Sequence, residues 1–164
     1  MATENDELLR ADFSPLSEIL EAVEACERVT TSNVTFVGTV LRYGALYGPG
    51  TQYDQGGQFD ELVKRRGFPI VGSGDAGMSF VHVEDAERAV LNAISAEAPG
   101  VYNVVDDEPV SVKDFIPAYA RRHSAPKPMR VPTWLARAMV GRYDVFFMTQ
   151  LRAASNGKVK PISS

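Results

Sequence analysis

The chain has 164 residues, 45% of them apolar and 23% charged, with a net charge of −4. That is the size of one modest domain with a single core, and an acidic balance without a clustered basic face argues against a nucleic-acid partner. One cysteine, Cys26, excludes an internal disulfide, no apolar run approaches the ~20 residues needed to span a bilayer, and a cytoplasmic protein without a membrane contact is expected.

Residues 1–13 read as a polar, acidic loop. Ser14-Pro15 then offers an N-cap followed by proline at the first helical position. Leu16, Ile19, Leu20, Val23, Cys26 and Val29 come next at helical spacing, which makes Cys26 core filling rather than a nucleophile. The β-branched run over 34–42 predicts a strand buried on both faces. It leaves through Tyr43-Gly44-Ala45-Leu46-Tyr47-Gly48-Pro49-Gly50 into a glycine-rich polar loop, 51–57. A short helix is expected over 58–66, with Phe59, Leu62 and Val63 inward and Gly67 ending it.

A strand near 68–71, a glycine cluster and a second strand over 78–83 come next. Asp85 is the expected N-cap of a helix whose inner face is Ala86, Ala89, Val90, Ala93 and Ile94. Pro99-Gly100 breaks it before a strand at 101–105. Ser111 and Asp114 are spaced like a capping box, but a helix begun at Ser111 puts Pro117 in its interior, so Asp114 is the preferred cap. A proline-rich loop spans 124–132, a helix runs through Trp134, Leu135, Ala138 and Met139 to Gly141, and 143–154 suits one further helix. Helices mixed with buried strands give an α/β class.

Gly72-Ser73-Gly74-Asp75-Ala76-Gly77 matches the dinucleotide fingerprint GxGxxG letter for letter. That chemistry requires a helix to open inside the motif, so that its first amides meet the pyrophosphate. The next residues, Met78-Ser79-Phe80-Val81-His82-Val83, have strand character instead. The glycines are therefore expected to join two strands as a hairpin.

Four segments taken in order, 41–50, Phe80-Val81-His82-Val83-Glu84-Asp85-Ala86, Val101-Tyr102-Asn103-Val104 and Arg152-Ala153-Ala154-Ser155-Asn156-Gly157-Lys158, resemble the C-terminal half of extended short-chain dehydrogenases/reductases, the NAD-dependent epimerase/dehydratase family. The resemblance implies the C-terminal half of a Rossmann-like NAD(P)-binding fold with its smaller substrate-binding lobe. Residues 1–50 and 80–110 would form the sheet portion of a single truncated domain, and 51–79 and 111–164 the lobe. By the same analogy Tyr43 and Pro49 adjoin the cofactor, NAD or NADP in the complete family member, while Arg42, Tyr47 and Arg152 adjoin the substrate, a sugar nucleotide or a small carbonyl or hydroxyl compound. On the residues alone, Arg42 equally suits a structural role holding a carboxylate, and Tyr43 and Tyr47 equally suit half-buried packing. His82 and Asp85 read as structural, and no metal site is expected.

The departures from the family pattern are as informative. Family catalysis uses a Tyr-x-x-x-Lys pair. The residues four positions after the six tyrosines are Tyr47, Thr51, Gly57, Asp106, His123 and Phe147. None is lysine, no catalytic residue is assigned, and the helix at 15–30 carries neither a Tyr nor a Lys. That helix resembles an atypical branch of the family in which the pair is lost. Ala45 stands where many epimerases have a substrate-binding asparagine. The front end of about 120 residues, folding as βαβ units with the glycine fingerprint, and the usual C-terminal tail are expected to be missing. Two readings stay open: an atypical oxidoreductase or isomerase when complete, inactive and without bound cofactor as the chain stands, or a non-catalytic binding module. Strands lacking their parallel neighbours further imply marginal stability, self-association or homodimerisation, or a partner supplying the missing layer.

Overall fold

The structure, a computed structural model, describes residues 1–7 and 16–159; the helix start expected at Ser14-Pro15 lies outside them. In chain order the elements are α1 (Leu16–Thr31), β1 (Thr39–Tyr43), β2 (Ala45–Tyr47), α2 (Gln58–Lys64), β3 (Ile70–Val71), β4 (Gly77–Met78), β5 (Phe80–His82), α3 (Val83–Ser95), β6 (Gly100–Val104), β7 (Val110–Ser111), α4 (Val112–Arg122), β8 (Arg130–Val131) and α5 (Thr133–Gln150). No described helix is long and apolar enough to cross a membrane. The architecture is α/β with short, mostly parallel ladders: β1 with β6, β2 with β5 and β3 with β8 run parallel, and β4 with β7 antiparallel.

The principal ladder pairs Thr39 with Gly100 through Tyr43 with Val104. Parallel strands need a crossover helix, and α3 fills that role. Its Ala86 and Ala89 pack with Val81 and Val104 beneath Leu41. The expected strand at 34–42 is corrected to 39–43. Gly100 is the first residue after the Pro99 break and the first to meet β1, so the ladder cannot start earlier. Val34 is fully exposed, and Phe36 and Val37 are about half exposed.

A change of partner at Gly44 shapes everything downstream. The Gly44 amide donates to the Val104 carbonyl, and the next amide, Ala45, donates to Ser79. One extended segment thus passes from β6 to β5. A Cβ at Gly44 would sit 2.7 Å from the Ser79 carbonyl oxygen, so the strands approach closely only because that position carries no side chain.

The outer edge of β6 is covered by side chains instead of a strand. Glu4 accepts the Asn103 amide at 2.8 Å, and Lys158 Nζ donates to the Val101 carbonyl at 2.6 Å. The segment after α5 runs alongside: the Asn103 side chain donates to Ser155, and that of Asn156 donates to Val105. Ala2 bridges Ala154 next to them. An edge finished with charged and amide groups is protected from pairing with another chain.

A separate core, within the residues expected to form the lobe, is built from Phe59 and Val63 of α2, Ile70 of β3, and Val112, Ile116, Tyr119 and Ala120 of α4. Leu62, expected inward, is 40% exposed. Arg66, with φ 57°, takes the left-handed turn after α2, and the Gly67 amide closes it on the Leu62 carbonyl. A third cluster joins Val71 to Ala136 and Val145 of α5. That helix is two helices meeting at Gly141, whose φ of 86° and ψ of 179° no helix contains. The expected separate helices on either side are present, but the second ends at Gln150.

Several local expectations are corrected by tertiary contacts. His82 caps α3 instead of Asp85: its Nδ1 accepts the Glu84 amide, while Asp85 pairs with Arg88 in the first turn. Val90 and Ile94 are exposed on the far side of α3. Ser111 caps α4 instead of Asp114, leaving Pro117 inside the helix. The Val112 and Lys113 amides are satisfied from outside, by the Ala76 and Gly74 carbonyls. The glycine segment 72–77 is therefore not a hairpin, since β3 pairs with β8 and β4 with β7. It presents carbonyls to the start of α4, the reverse of a phosphate cradle, and strands come directly after it. Finally, Cys26 is exposed, not core. Leu16 is buried, but Ile19, Val23 and Val29 of the same stripe are 39–64% exposed, because among the described residues α1 packs chiefly on β1 and β6 along one flank.

Candidate functional site

The carboxyl ends of β1 and β6 open onto a cavity of about 550 Å³, the place where open parallel sheets bind ligands. The Gly44 crossing forms its floor. Tyr53 and Phe68 come from the lobe, Met78 from β4, and Phe147 and Met148 from the second half of α5. Arg42, Tyr43 and Arg152 lie on its rim. The structure thus brings together three of the five site residues named from the sequence.

Tyr47 and Pro49 line a different cavity, of about 780 Å³, with Tyr53 as the shared wall. The partner change at Gly44 separates them from Tyr43. Tyr47 stacks edge-on against Phe80 and His82, with centroids 6.2 and 5.1 Å away. This second cavity is lined by Asp54, Asp106 and Glu108 against Arg122 and His123.

Each rim residue has a defined partner or none. The Arg42 guanidinium forms a fork on Glu27 of α1, Nε to Oε1 at 2.7 Å and a terminal nitrogen to Oε2 at 2.6 Å. Both side chains are mostly buried, and the Glu27 carboxylate favours the charged guanidinium above its ordinary value. The Tyr43 hydroxyl donates to the Ala86 carbonyl at 3.2 Å. Arg152 is exposed and forms no ion pair among the described residues, but its charge acts on Asp6 and helps lower that carboxyl's pKa.

Burial raises the Tyr43 phenol above its ordinary value, and burial with the adjacent Asp106 carboxylate raises that of Tyr47. Both shifts run opposite to what a tyrosine exchanging protons near neutral pH requires. Neither phenol is prepared as an acid/base.

Sequence reasoning missed a polar cluster beneath the larger cavity. Asp60 is fully buried. Its Oδ2 accepts from Lys64 Nζ and the Gly56 amide, each at 2.7 Å. These bonds lower its pKa, the Lys64 contact first. Asp60 Oδ1 has no other donor and lies 3.0 Å from His123 Nδ1, so a proton on Nδ1 is the tautomer that satisfies it. The His123 ring stacks on Tyr119 at 4.1 Å and 9°. Tyr119 donates to the Tyr53 carbonyl, and its phenol is pushed up to about 12 by burial and then by Asp60 and Asp54. Asp60 and His123 lie far apart in the chain, and neither sits in a motif. The aromatic wall of the smaller cavity had a faint signal in the Phe146-Phe147-Met148 run.

The chain has recognisable relatives. A model of the NAD-dependent epimerase/dehydratase family matches residues 20–105. A 3-diazoavenalumate denitrifying reductase from Streptomyces is 38% identical over 141 residues, covering 86% of this chain and 46% of the relative. Among solved structures, the human epimerase family protein SDR39U1, determined with NADPH, superposes with a TM-score of 0.74 at 18% identity, covering 99% of this chain and 54% of the other. UDP-glucuronic acid 4-epimerase from Bacillus cereus, determined with NAD, gives 0.62 at 20% identity, covering 98% and 48%. The structural likenesses are to Rossmann-fold proteins, and the chain spans about half the length of each of these proteins.

Proposed function

The chain belongs to the NAD-dependent epimerase/dehydratase family, and from that membership we propose that it is the substrate-side half of an NAD(P)-dependent reductase acting on a small organic compound. The observation that carries this is the cavity at the carboxyl ends of β1 and β6, with Tyr43 and Arg152 on its rim. A relative that is itself a reductase supports reduction over epimerisation.

The described residues fit one end of a dinucleotide only. The single GxGxxG segment offers carbonyls to α4 and opens no helix, so no pyrophosphate cradle is formed by it. Tyr43, which lines the cavity, is assigned by resemblance to the nicotinamide end, and Pro49 by resemblance to the loop beyond. When bound, the cofactor would supply the hydride. The chain's own residues contribute placement. Arg152 offers a charge to an anionic group, Tyr53, Phe68 and Phe147 shield the substrate from water, and Arg42 fixes α1 against β1 through Glu27.

By this reading the chain is inactive alone. The second reading, a binding module without catalysis, is favoured by the misdirected glycine segment. Joining the chain to the amino-terminal half of the Streptomyces reductase and measuring NADPH oxidation separates the two. Consumption by the joined protein and none by the chain alone is expected. Turnover by the chain alone would overturn the half-protein reading, and a well-folded fusion that binds NADPH without consuming it with any tested acceptor would favour the binding module.

A further inference from the structure

We infer that the smaller cavity takes a planar aromatic monocarboxylate and rejects nucleoside-diphosphate sugars. This deepens the reading above, on which it rests for the identity of the substrate pocket.

The walls define the body of the ligand. Tyr53, Phe68 and Phe147 present rings, and Met78 and Met148 present thioethers that adapt to a flat apolar surface. A volume of about 550 Å³ is ordinary for a small-molecule site. A ribose and a hexose need many hydrogen-bonding partners along their length, and these walls offer few. The Tyr43 hydroxyl is already committed to Ala86. Ser79 Oγ accepts from the Ala154 amide, which leaves its own proton as one donor toward the cavity.

Charge defines the other end. Two cations line the cavity, Arg42 and Arg152, and one carboxylate, Asp144. Arg42 is neutralised by the Glu27 fork. Arg152 is thus the one lining cation without an ion pair among the described residues; it acts on Asp6 from beyond ion-pair distance and lowers that carboxyl's pKa, so its charge is partly offset while its guanidinium stays unbonded. One guanidinium matches one carboxylate in a two-bond arrangement. A diphosphate carries more charge than a single exposed cation offsets, and Asp144 opposes any anion here, the more highly charged diphosphate more strongly than one carboxylate. The larger cavity has three carboxylates, Asp54, Asp106 and Glu108, against Arg122 and His123, so an aromatic anion is directed to the smaller one.

The test is isothermal titration of the whole chain, without nucleotide, using trans-cinnamate, cinnamamide and UDP-glucose as probes. Saturable cinnamate binding is expected, with cinnamamide weaker and UDP-glucose absent. Arg152→Gln should weaken cinnamate by about tenfold, the usual loss of a hydrogen bond to a charged group, and Phe147→Ala should weaken both aromatic probes. Arg122→Gln, in the other cavity, should leave binding unchanged. Arg152 is exposed, so its substitution should not perturb folding, and circular dichroism of each variant checks that. Absence of cinnamate binding, or binding insensitive to Arg152→Gln, overturns the inference. UDP-glucose binding lost in Arg152→Gln would overturn the substrate class while leaving the pocket assignment intact. Cinnamate binding that instead responds to Arg122→Gln would overturn the pocket assignment itself.

Discussion

Arg42 and Arg152 share a rim but differ in their commitments, and that difference predicts separable phenotypes. Arg42→Gln leaves the mostly buried Glu27 carboxylate without its fork and should cost roughly 2 kcal/mol of stability, read from urea denaturation. Arg152→Gln should leave the denaturation midpoint unchanged and alter ligand affinity. A second residue-scale prediction concerns acid. Asp60 has its pKa lowered in the fold below the ordinary 3.8, so its stabilisation is fully present above that value and is lost as pH falls through the lower folded one. The stability advantage of the native chain over Asp60→Asn should therefore narrow as pH is taken below about 4, the ordinary carboxylate range, in denaturant melts across that range. An advantage growing toward low pH would contradict the assignment. Motif resemblance named Arg42, Tyr43 and Arg152, which line one cavity. It could not separate Tyr47 and Pro49 from them, because the separation arises from a change of strand partner at Gly44. Asp60 and His123 meet only through the packing of α2 on α4, and local pattern carries no trace of such a pair.

At the scale of elements, order and type were legible and boundaries were set by partners. The strand expected over 78–83 is two short strands, β4 and β5, with Val83 opening α3. No helix opens inside 72–77, so the fingerprint is excluded there, yet the hairpin expected in its place fails because each flanking strand pairs elsewhere. The cap of α4 goes to Ser111 because Gly74 and Ala76 supply acceptors to its first amides, a contact across a loop that no spacing rule encodes. Helix α5 offers a direct test of element geometry. A Cβ at Gly141 would meet no atom within 4 Å, so only the backbone, with φ 86° and ψ 179°, resists substitution. Gly141→Ala should cost about 1–3 kcal/mol and shift Phe147 and Met148, weakening ligand binding in the smaller cavity. Thermal unfolding and titration read the two effects. Unchanged stability would mean that the two halves of α5 are joined in some other way.

At the scale of the molecule, the chain carries a core in its lobe and an uncovered face on its sheet side. Ile19, Val23 and Val29 of α1, the segment Val34–Val37, and Val90 and Ile94 of α3 are exposed apolar groups, more than a monomer ordinarily leaves to water. The chain alone should self-associate with rising concentration, seen in sedimentation velocity, and a sharp monomer across the whole range would contradict that. Cys26 reads as core from its spacing and is exposed in the fold because the described residues leave most of the α1 stripe uncovered. The most direct test of the central claim, that this is the substrate side of a nicotinamide-dependent reductase and not a complete dinucleotide-binding unit, is titration of the chain alone with NADPH and NADH, read by nucleotide fluorescence. No saturable binding is predicted; saturation in the micromolar range would contradict the claim.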